Sequence, residues 1–210
     1  MEPKWLTWAR EIQALAQSGL AFSPNPYDRE RFEQLRRLAA EMLAEQTDTP
    51  AERIEALFME ETGYATPKVG VRGAAFRDGR ILMVREVADS HRWTLPGGWA
   101  DVNQTPAEGV AREVWEETGF TVTVRKLAGC YDRRRFPPPA RPVPFYLYKL
   151  FFLCDITGGT ATPSLETSEI GFFAEDEIDG LDLSHGRVTA WHIHRMFAHA
   201  RDPLLPADFD

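Results

Sequence analysis

Glu113, Glu116 and Glu117 lie within one turn or so of each other in the run "REVWEETGF", residues 112 to 120. On a helix with 3.6 residues per turn, positions i, i+3 and i+4 share a face, so the three carboxylates line up. Like charges this close repel, and a solvated acidic face explains one or two of them. It does not explain the glycines ahead of the run, or an arginine, Arg112, set among the carboxylates. A hard divalent cation explains both. Mg2+ or Mn2+ takes oxygen ligands, keeps several waters and shares its site between carboxylates and substrate phosphates. Arg112 has the four-residue spacing to pair with Glu108 and Glu116 and so fix carboxylate orientation. Gly109 adds no side chain to the acidic face although a helical glycine costs about 1 kcal/mol against alanine, which points to a use for free space there.

The letters around this run supply the helix that carries it. "TPAE", residues 105 to 108, gives Thr105 as N-cap, proline at the first helical position and Glu108 closing a capping box. Gly119 ends the helix. Ala107, Val110, Ala111, Val114 and Trp115 fall on another arc, predicted to pack on a sheet. That sheet is announced by "KVGVRGAAFRDGRILMVREV", two strands joined by Asp78-Gly79, then by a short strand in "WTLPGG". Further strands are predicted at "TVTVRKLAGCYD", "PFYLYKLFFLCDIT" and "IGFFA". "GRVTAWHIHRMFAHA" is a closing helix with Val188, Trp191 and Phe197 predicted inward.

The first sixty-odd residues have a helical period. Trp5, Trp8, Ile12 and Leu15 form one apolar stripe, with Gly19 as its predicted stop. "SPNPYD" is expected to be a loop. Phe32, Leu35, Leu38, Ala39 and Met42 mark a second helix. A third is predicted to start at Thr49 (N-cap), Pro50 and Glu52, to bury Ile54, Leu57 and Phe58, and to end at Gly63. The period changes at Pro67. The expected organisation is a small helical domain over residues 1–65 and an α+β, layered domain over 66–210.

Composition narrows the class. The chain has 210 residues, 43% of them hydrophobic, and a net charge of −8. That balance argues against a nucleic-acid-coating role, and no basic recognition helix is present. No stretch reaches the roughly 20 apolar residues of a membrane helix, and the charged start lacks a signal-peptide core. Cys130 and Cys154 lie apart without metal-type spacing, which predicts reduced thiols and a cytoplasmic protein.

Gly98, together with Arg112-Glu113-Val114-Trp115-Glu116-Glu117-Thr118-Gly119-Phe120, resembles the Nudix box, G-x5-E-x7-R-E-U-x-E-E-x-G-U, where U is bulky and apolar. One position departs: the first box glutamate is Gln104. The residues around the box and the helical N-terminus resemble a branch of that family with an N-terminal helical extension. The resemblance implies an α/β/α sandwich around a mixed sheet. It also implies a Mg2+- (or Mn2+-) dependent pyrophosphatase acting on a nucleoside diphosphate linked to another moiety, of the CDP-choline or ADP-ribose type. Two alternatives stand beside it: a nucleoside triphosphate pyrophosphatase, and a ligand-sensing module with weak catalysis. By the same resemblance Glu116 and Glu117, with Gly98 and Glu113, are metal ligands, and proteins of this kind form homodimers.

The attacking water needs a base. Glu113 on the helix is one candidate, and Glu166 and Glu169 in "LETSEIGFF", read as a late loop, are others. For the substrate, Arg72 stands among apolar strand residues and needs a partner, which a phosphate would supply. Arg133, in "YDRRRFPPPARP" beside Phe136, is a candidate for phosphate or base contact. Trp93 and Tyr131 are candidate pocket residues, although aromatics more commonly pack a core. His192 and His194 are two apart on a helix and are not expected to form a metal pair.

Overall fold

The fold is taken from a computed structural model that describes residues 3–135 and 145–210. The chain divides into two compact units, one built on Met1–Pro67 and the other on Lys68–Phe136 and Leu147–Asp210. Among the described residues no helix is long and apolar enough to cross a membrane.

The first unit contains α1 (Lys4–Phe22), α2 (Pro26–Ala44) and α3 (Ala51–Glu60). Leu6, Ala9, Ala39, Ala40, Leu43, Ile54 and Phe58 form its core, with Trp5 and Ile12 packed at the margin. The rest of the predicted stripe faces outward: Trp8 is 54% and Leu15 65% exposed. The small side chains won the buried face, because Ala9, Ala16, Ala39 and Ala40 let the helices approach more closely than indole rings would. Gly19 is not the stop. The helix runs on to Phe22, and Gly19 is where α1 meets α2: a Cβ there would lie 2.4 Å from the Phe32 ring.

Two further starts differ from expectation. The predicted loop "SPNPYD" is half helix, since the Asn25 side chain accepts from Tyr27 N–H and Pro26 opens α2. For α3 the N-cap position falls on Pro50, one residue late, so Thr49 makes no cap; Ile54 and Phe58 are buried as expected, whereas Leu57 is 39% exposed.

The second unit is a mixed sheet between two helices. Its strands are β1 (Lys68–Arg77), β2 (Arg80–Glu86), β3 (Arg92–Thr94), β4 (Phe120–Asp132), β5 (Leu147–Gly159), β6 (Thr167–Phe173) and β7 (Asp208–Phe209), with α4 (Pro106–Thr118) and α5 (Ala190–Arg201). The order is β3-β2-β1-β5-β4-β7, with β6 on β2. β1 and β5 run parallel, as do β4 and β7; the other pairs are antiparallel. Asp78 and Gly79 both take positive φ, 50° and 73°, the two-residue turn that fits strand twist.

Alternation along β1 sorts the two layers. Val71 and Ala75 face Val110 and Val114 of α4. Ala74 faces the other way, toward Ile193, Met196 and Phe197 of α5. Thr105 and Glu108 close the capping box on α4, and Gly119 ends it at φ 74°. Trp115 and Trp191, expected to point inward, are both more than half exposed. The positions nearest the sheet are filled by Val110 and Val114 on α4 and by Ile193 and Phe197 on α5. Phe136 lies outside the described residues.

Candidate active site

The chain between β3 and α4 lies against β1. Gly73 N–H donates to Pro96 O (2.9 Å), Val71 N–H to Gly98 O (2.9 Å), and Ala100 N–H to Val69 O (2.8 Å). This approach needs Gly97, which sits at φ 142° and whose absent Cβ would fall 2.1 Å from Val71 O. Held there, Gly97 N–H points at α4 and donates to Glu117 Oε2 at 3.0 Å.

Glu117 is therefore a buried carboxylate, 4% exposed. Burial pushes its pKa up to about 7; Arg72 and the Gly97 N–H pull the other way, while Glu113 and Glu86 add to the rise. The Glu113 carboxyl is also held above its usual range, first by burial. Gly98 makes room for it: a Cβ there would lie 2.7 Å from Glu113 Oε1.

Arg112 holds the outer carboxylates. Its Nη1 donates to Glu116 Oε2 (2.6 Å), and its Nη2 to Asp101 Oδ2 (2.7 Å) and Glu113 Oε1 (2.9 Å). The predicted pairing with Glu108 does not form, because Glu108 spends its carboxylate on Thr105 N–H and Oγ. Gln104 takes the remaining Arg112 donor, Nε, on its Oε1 at 3.3 Å. It does so without adding charge where Asp101, Glu113, Glu116 and Glu117 already gather. Gly109 is not sterically required, since a Cβ there would make an ordinary 3.6 Å contact with Gln104 Oε1. Gln104→Glu would keep the Arg112 bond, so its turnover at saturating metal is expected to equal or exceed wild type. Initial rates across a metal titration check this, and a tenfold fall contradicts it.

Behind Glu117 stand groups from distant strands. Arg72 is buried, donates from Nη1 to Leu95 O (3.1 Å) and lies near both Glu117 and Glu86. Glu86, at the end of β2, is buried and bridged to Arg187 Nε at 3.4 Å. Lys149 of β5 is buried with its Nζ donating to Gly186 O (2.6 Å) and Arg187 O (2.7 Å). Burial first, then Arg72, Arg133 and Arg187, hold its pKa well below the lysine range. Glu86, Lys149 and Arg187 were missed from sequence. For Lys149 the signal was present: a lone charge inside an otherwise apolar strand, "YLYKLFF".

Of the other candidates, Arg133 is buried close to Lys149 and His192. Trp93 and Tyr131 are core side chains. Trp93 meets Phe173 edge-on at 4.7 Å, and Tyr131 meets Phe151 at 5.5 Å with its hydroxyl on Asp208. Glu169 belongs to strand β6 rather than to a loop; it is exposed and paired with Arg85 Nη1 at 3.3 Å. Glu166, just before that strand, is exposed. His192 is buried against Thr189, whereas His194 turns to Asp179.

These residues fit a divalent cation. Burial raises the proton affinity of Glu117, which a bound cation would offset, and Glu113 and Glu116 stand on the same face. Among the described residues no three His, Cys, Asp or Glu side chains form a ready-made cage. Mg2+ does not require one, since waters and substrate phosphates complete its shell. The Gly98 carbonyl, already accepting from Val71, keeps a second lone pair.

A capped helix that packs on one face of a mixed sheet and presents aligned carboxylates beside buried cations suits the hydrolysis of phosphoric anhydrides. Residues 66–192 match the model described as the NUDIX domain, and residues 3–58 match one described as a UDP-X-like, N-terminal oligomerisation domain. The chain belongs to the Nudix hydrolase family. It is 40% identical over 210 residues to the Bacillus subtilis (strain 168) protein named "Putative ADP-ribose pyrophosphatase YjhB", covering 100% of this chain and 99% of that one. The crystal structure of a UDP-X diphosphatase aligns with a TM-score of 0.61 at 30% identity, over 99% of this chain and 98% of the other. An ADP-ribose pyrophosphatase from Streptococcus suis 89-1591 aligns with a TM-score of 0.61 at 33% identity, over 69% of this chain and all of the other. Members of this family generally work with divalent metal ions.

Proposed function

We propose that this chain hydrolyses the diphosphate bridge of a nucleoside diphosphate linked to a second moiety, of the ADP-ribose or CDP-choline type, with Mg2+ or Mn2+. The observation that carries the reading is Glu117, buried on the Gly97 N–H at the head of a carboxylate face that Arg112 keeps in register. Glu113, Glu116, Glu117 and the Gly98 carbonyl would hold the cation, which supplies charge neutralisation at phosphate oxygens and a more acidic water. Arg72 and Arg133 take phosphate oxygens, while Trp93 and Tyr131 stay in the core. Glu113, oriented by the bond from Arg112 Nη2, is one candidate to receive the proton of the attacking water. Glu169, already engaged by Arg85, is the other candidate base. Cleavage of the P–O–P bridge yields a nucleoside monophosphate and a phosphorylated second moiety.

The test is a substrate panel with Mg2+: ADP-ribose, CDP-choline, a UDP-linked sugar and deoxynucleoside triphosphates, each assayed separately. Turnover of at least one diphosphate-linked substrate, abolished by EDTA, is the expected result. Faster turnover of the triphosphates overturns the reading. The two free cysteines suit a cytoplasmic location.

The reading includes a homodimer joined through the N-terminal helices. Trp8, Leu15 and Phe22 recur every seven residues on α1 and are all exposed, a seam of the kind that pairs with a second helix. The double variant Trp8→Glu, Leu15→Glu is expected to have monomer mass by light scattering at micromolar concentration. An unchanged dimer contradicts this interface, and a monomeric wild type contradicts the dimer.

A further inference from the structure

Arg187 stands far from the carboxylate helix in sequence, on the stretch that leads into α5. That stretch belongs to no strand, yet its backbone is pinned. Trp93 N–H donates to Asp182 O (2.9 Å), Ser184 N–H to Trp93 O (2.8 Å), and Ser184 Oγ to Asp89 Oδ2 (2.6 Å). The chain then turns, with Arg187 N–H on Ser184 O at 2.7 Å. A buried lysine amine needs acceptors, and Lys149 Nζ finds two of them in this turn, the carbonyls of Gly186 and Arg187.

The Arg187 side chain is aimed as firmly as its backbone is held. Its Nε lies 3.4 Å from Glu86 Oε2, and its Nη1 donates to Ser184 Oγ at 3.3 Å, with Asp89 Oδ2 3.6 Å away. Nη2 donates to none of the described residues, and 30% of the side chain is open to solvent.

We propose that Arg187 is a substrate-binding residue whose Nη2 edge takes an oxygen of the substrate's diphosphate bridge. The proposal rests on the nucleoside diphosphate reading given above and adds a donor that comes from neither the carboxylate helix nor the strands.

Position, access and charge carry it. Arg187 and Glu117 share two neighbours: Glu86 bridges to Arg187 and lies near Glu117, and Arg72 lies in the field of all three. Arg187 is also the most open cation of its group, since Arg72, Arg133 and Lys149 are 8%, 3% and 3% exposed. A solute that cannot enter the core can still meet its guanidinium. Charge points the same way. Arg187 opposes the positive charge of both Arg72 and Lys149, and Arg133 opposes that of Lys149 as well. Four cations thus gather around two buried carboxylates, Glu86 and Glu117, with Asp89 at the margin. An oxyanion relieves that repulsion. A tie between β2 and the turn would be complete with Glu86 and Ser184, and it leaves Nη2 over. The planar fork of arginine suits this division, with one edge on a carboxylate and the other on a phosphate.

Imidodiphosphate, in which nitrogen replaces the bridging oxygen, tests the contact without base, sugar or turnover. Full-length wild type, Arg187→Ala and Arg187→Lys are titrated with it in Mg2+ by calorimetry, after thermal melts. A hydrogen bond to a charged group predicts a Kd about tenfold or more weaker in Arg187→Ala. Arg187→Lys keeps a charge beside Glu86 but loses the fork, so its Kd should lie between the two. Millimolar guanidinium should partly restore binding to Arg187→Ala, which a merely structural role does not predict. For a diphosphate-linked substrate that wild type cleaves, Arg187→Ala should raise KM about tenfold, with a smaller effect on kcat. A Kd in Arg187→Ala within about twofold of wild type overturns the proposal, as does a wild type that binds no imidodiphosphate. Should Arg187→Ala fail to fold, Arg187→Lys decides, and a Kd equal to wild type then overturns the contact. If wild type binds imidodiphosphate but cleaves no diphosphate-linked substrate, the functional reading fails while the calorimetry still decides Arg187.

Discussion

Glu117→Gln is expected to lower kcat more than a hundredfold while making the metal-free protein more stable at pH 8. Loss of an outer-shell partner alone typically costs 10–100-fold in metal affinity or activity, so loss of the buried carboxylate itself should cost more than about 100-fold. The stability gain follows from burial. The folded pKa of Glu117 is pushed up to about 7, above the ordinary 4.5. Between those values the folded chain holds a proton that the unfolded chain has released. Stability of the metal-free protein therefore falls as pH rises from about 4.5 to 7, and the penalty is complete above 7. At about 1.4 kcal/mol per pKa unit the ceiling on this penalty is about 3 kcal/mol. Gln removes the charge and keeps an oxygen for Gly97 N–H. Its amide NH2 faces Arg72 less favourably than a carboxylate does, so the net gain is set at about 1–2 kcal/mol. Calorimetry in EDTA should show a melting temperature several degrees above wild type at pH 8, and no advantage at pH 4.5. Added Mg2+ should reverse the order, because only wild type gains binding free energy from the ion. A variant less stable than wild type in EDTA at pH 8 contradicts the account.

Gly97→Ala is expected to be the most damaging single-methyl change in the second unit, and Gly98→Ala, one residue on, should behave differently. At Gly97 an added Cβ meets the Val71 carbonyl oxygen at 2.1 Å and the Arg72 Cα at 2.9 Å, at φ 142° where side chains are strained. Both obstacles are backbone, so the β3–α4 connection must leave β1. That breaks the bond from Gly97 N–H to Glu117 and the ladder from Val71 N–H to Gly98 O. A loss of about 3 kcal/mol or more is expected, together with activity. At Gly98 the obstacle is the Glu113 carboxylate at 2.7 Å, the far end of a flexible side chain. Gly98→Ala should therefore stay within about 1 kcal/mol of wild type in urea denaturation and lose turnover through a displaced Glu113. Equal stability losses in the two variants would show that the Gly97 approach to β1 is not the critical one.

The parts of the site readable from the chain were those whose geometry is set within a few residues. α4 is the clearest case. Thr105, Pro106 and Glu108 start it, Gly119 stops it, and helical periodicity alone places Glu113, Glu116 and Glu117 on one face beside Arg112. The Asp78-Gly79 hairpin belongs with it, since a two-residue turn with positive φ depends on those two residues. Long-range burial decided the rest. Periodicity shows that a helix has an apolar arc but not which residues win its centre, so Ala9 and Ala16 are buried on α1 while Trp8 and Leu15 face outward. Gly19 has the look of a stop in the sequence and proved to be a close helix contact, because Phe32 comes from another helix. Above all, the sequence could align three glutamates but not rank them. Glu117 is set apart by its burial, by Gly97, twenty residues earlier, and by Arg72 and Glu86, which strand order brings near it from β1 and β2. Electrostatic free energy depends on distance and desolvation, and both were fixed only when β2 paired with β1 and the Gly97 segment settled between β1 and α4.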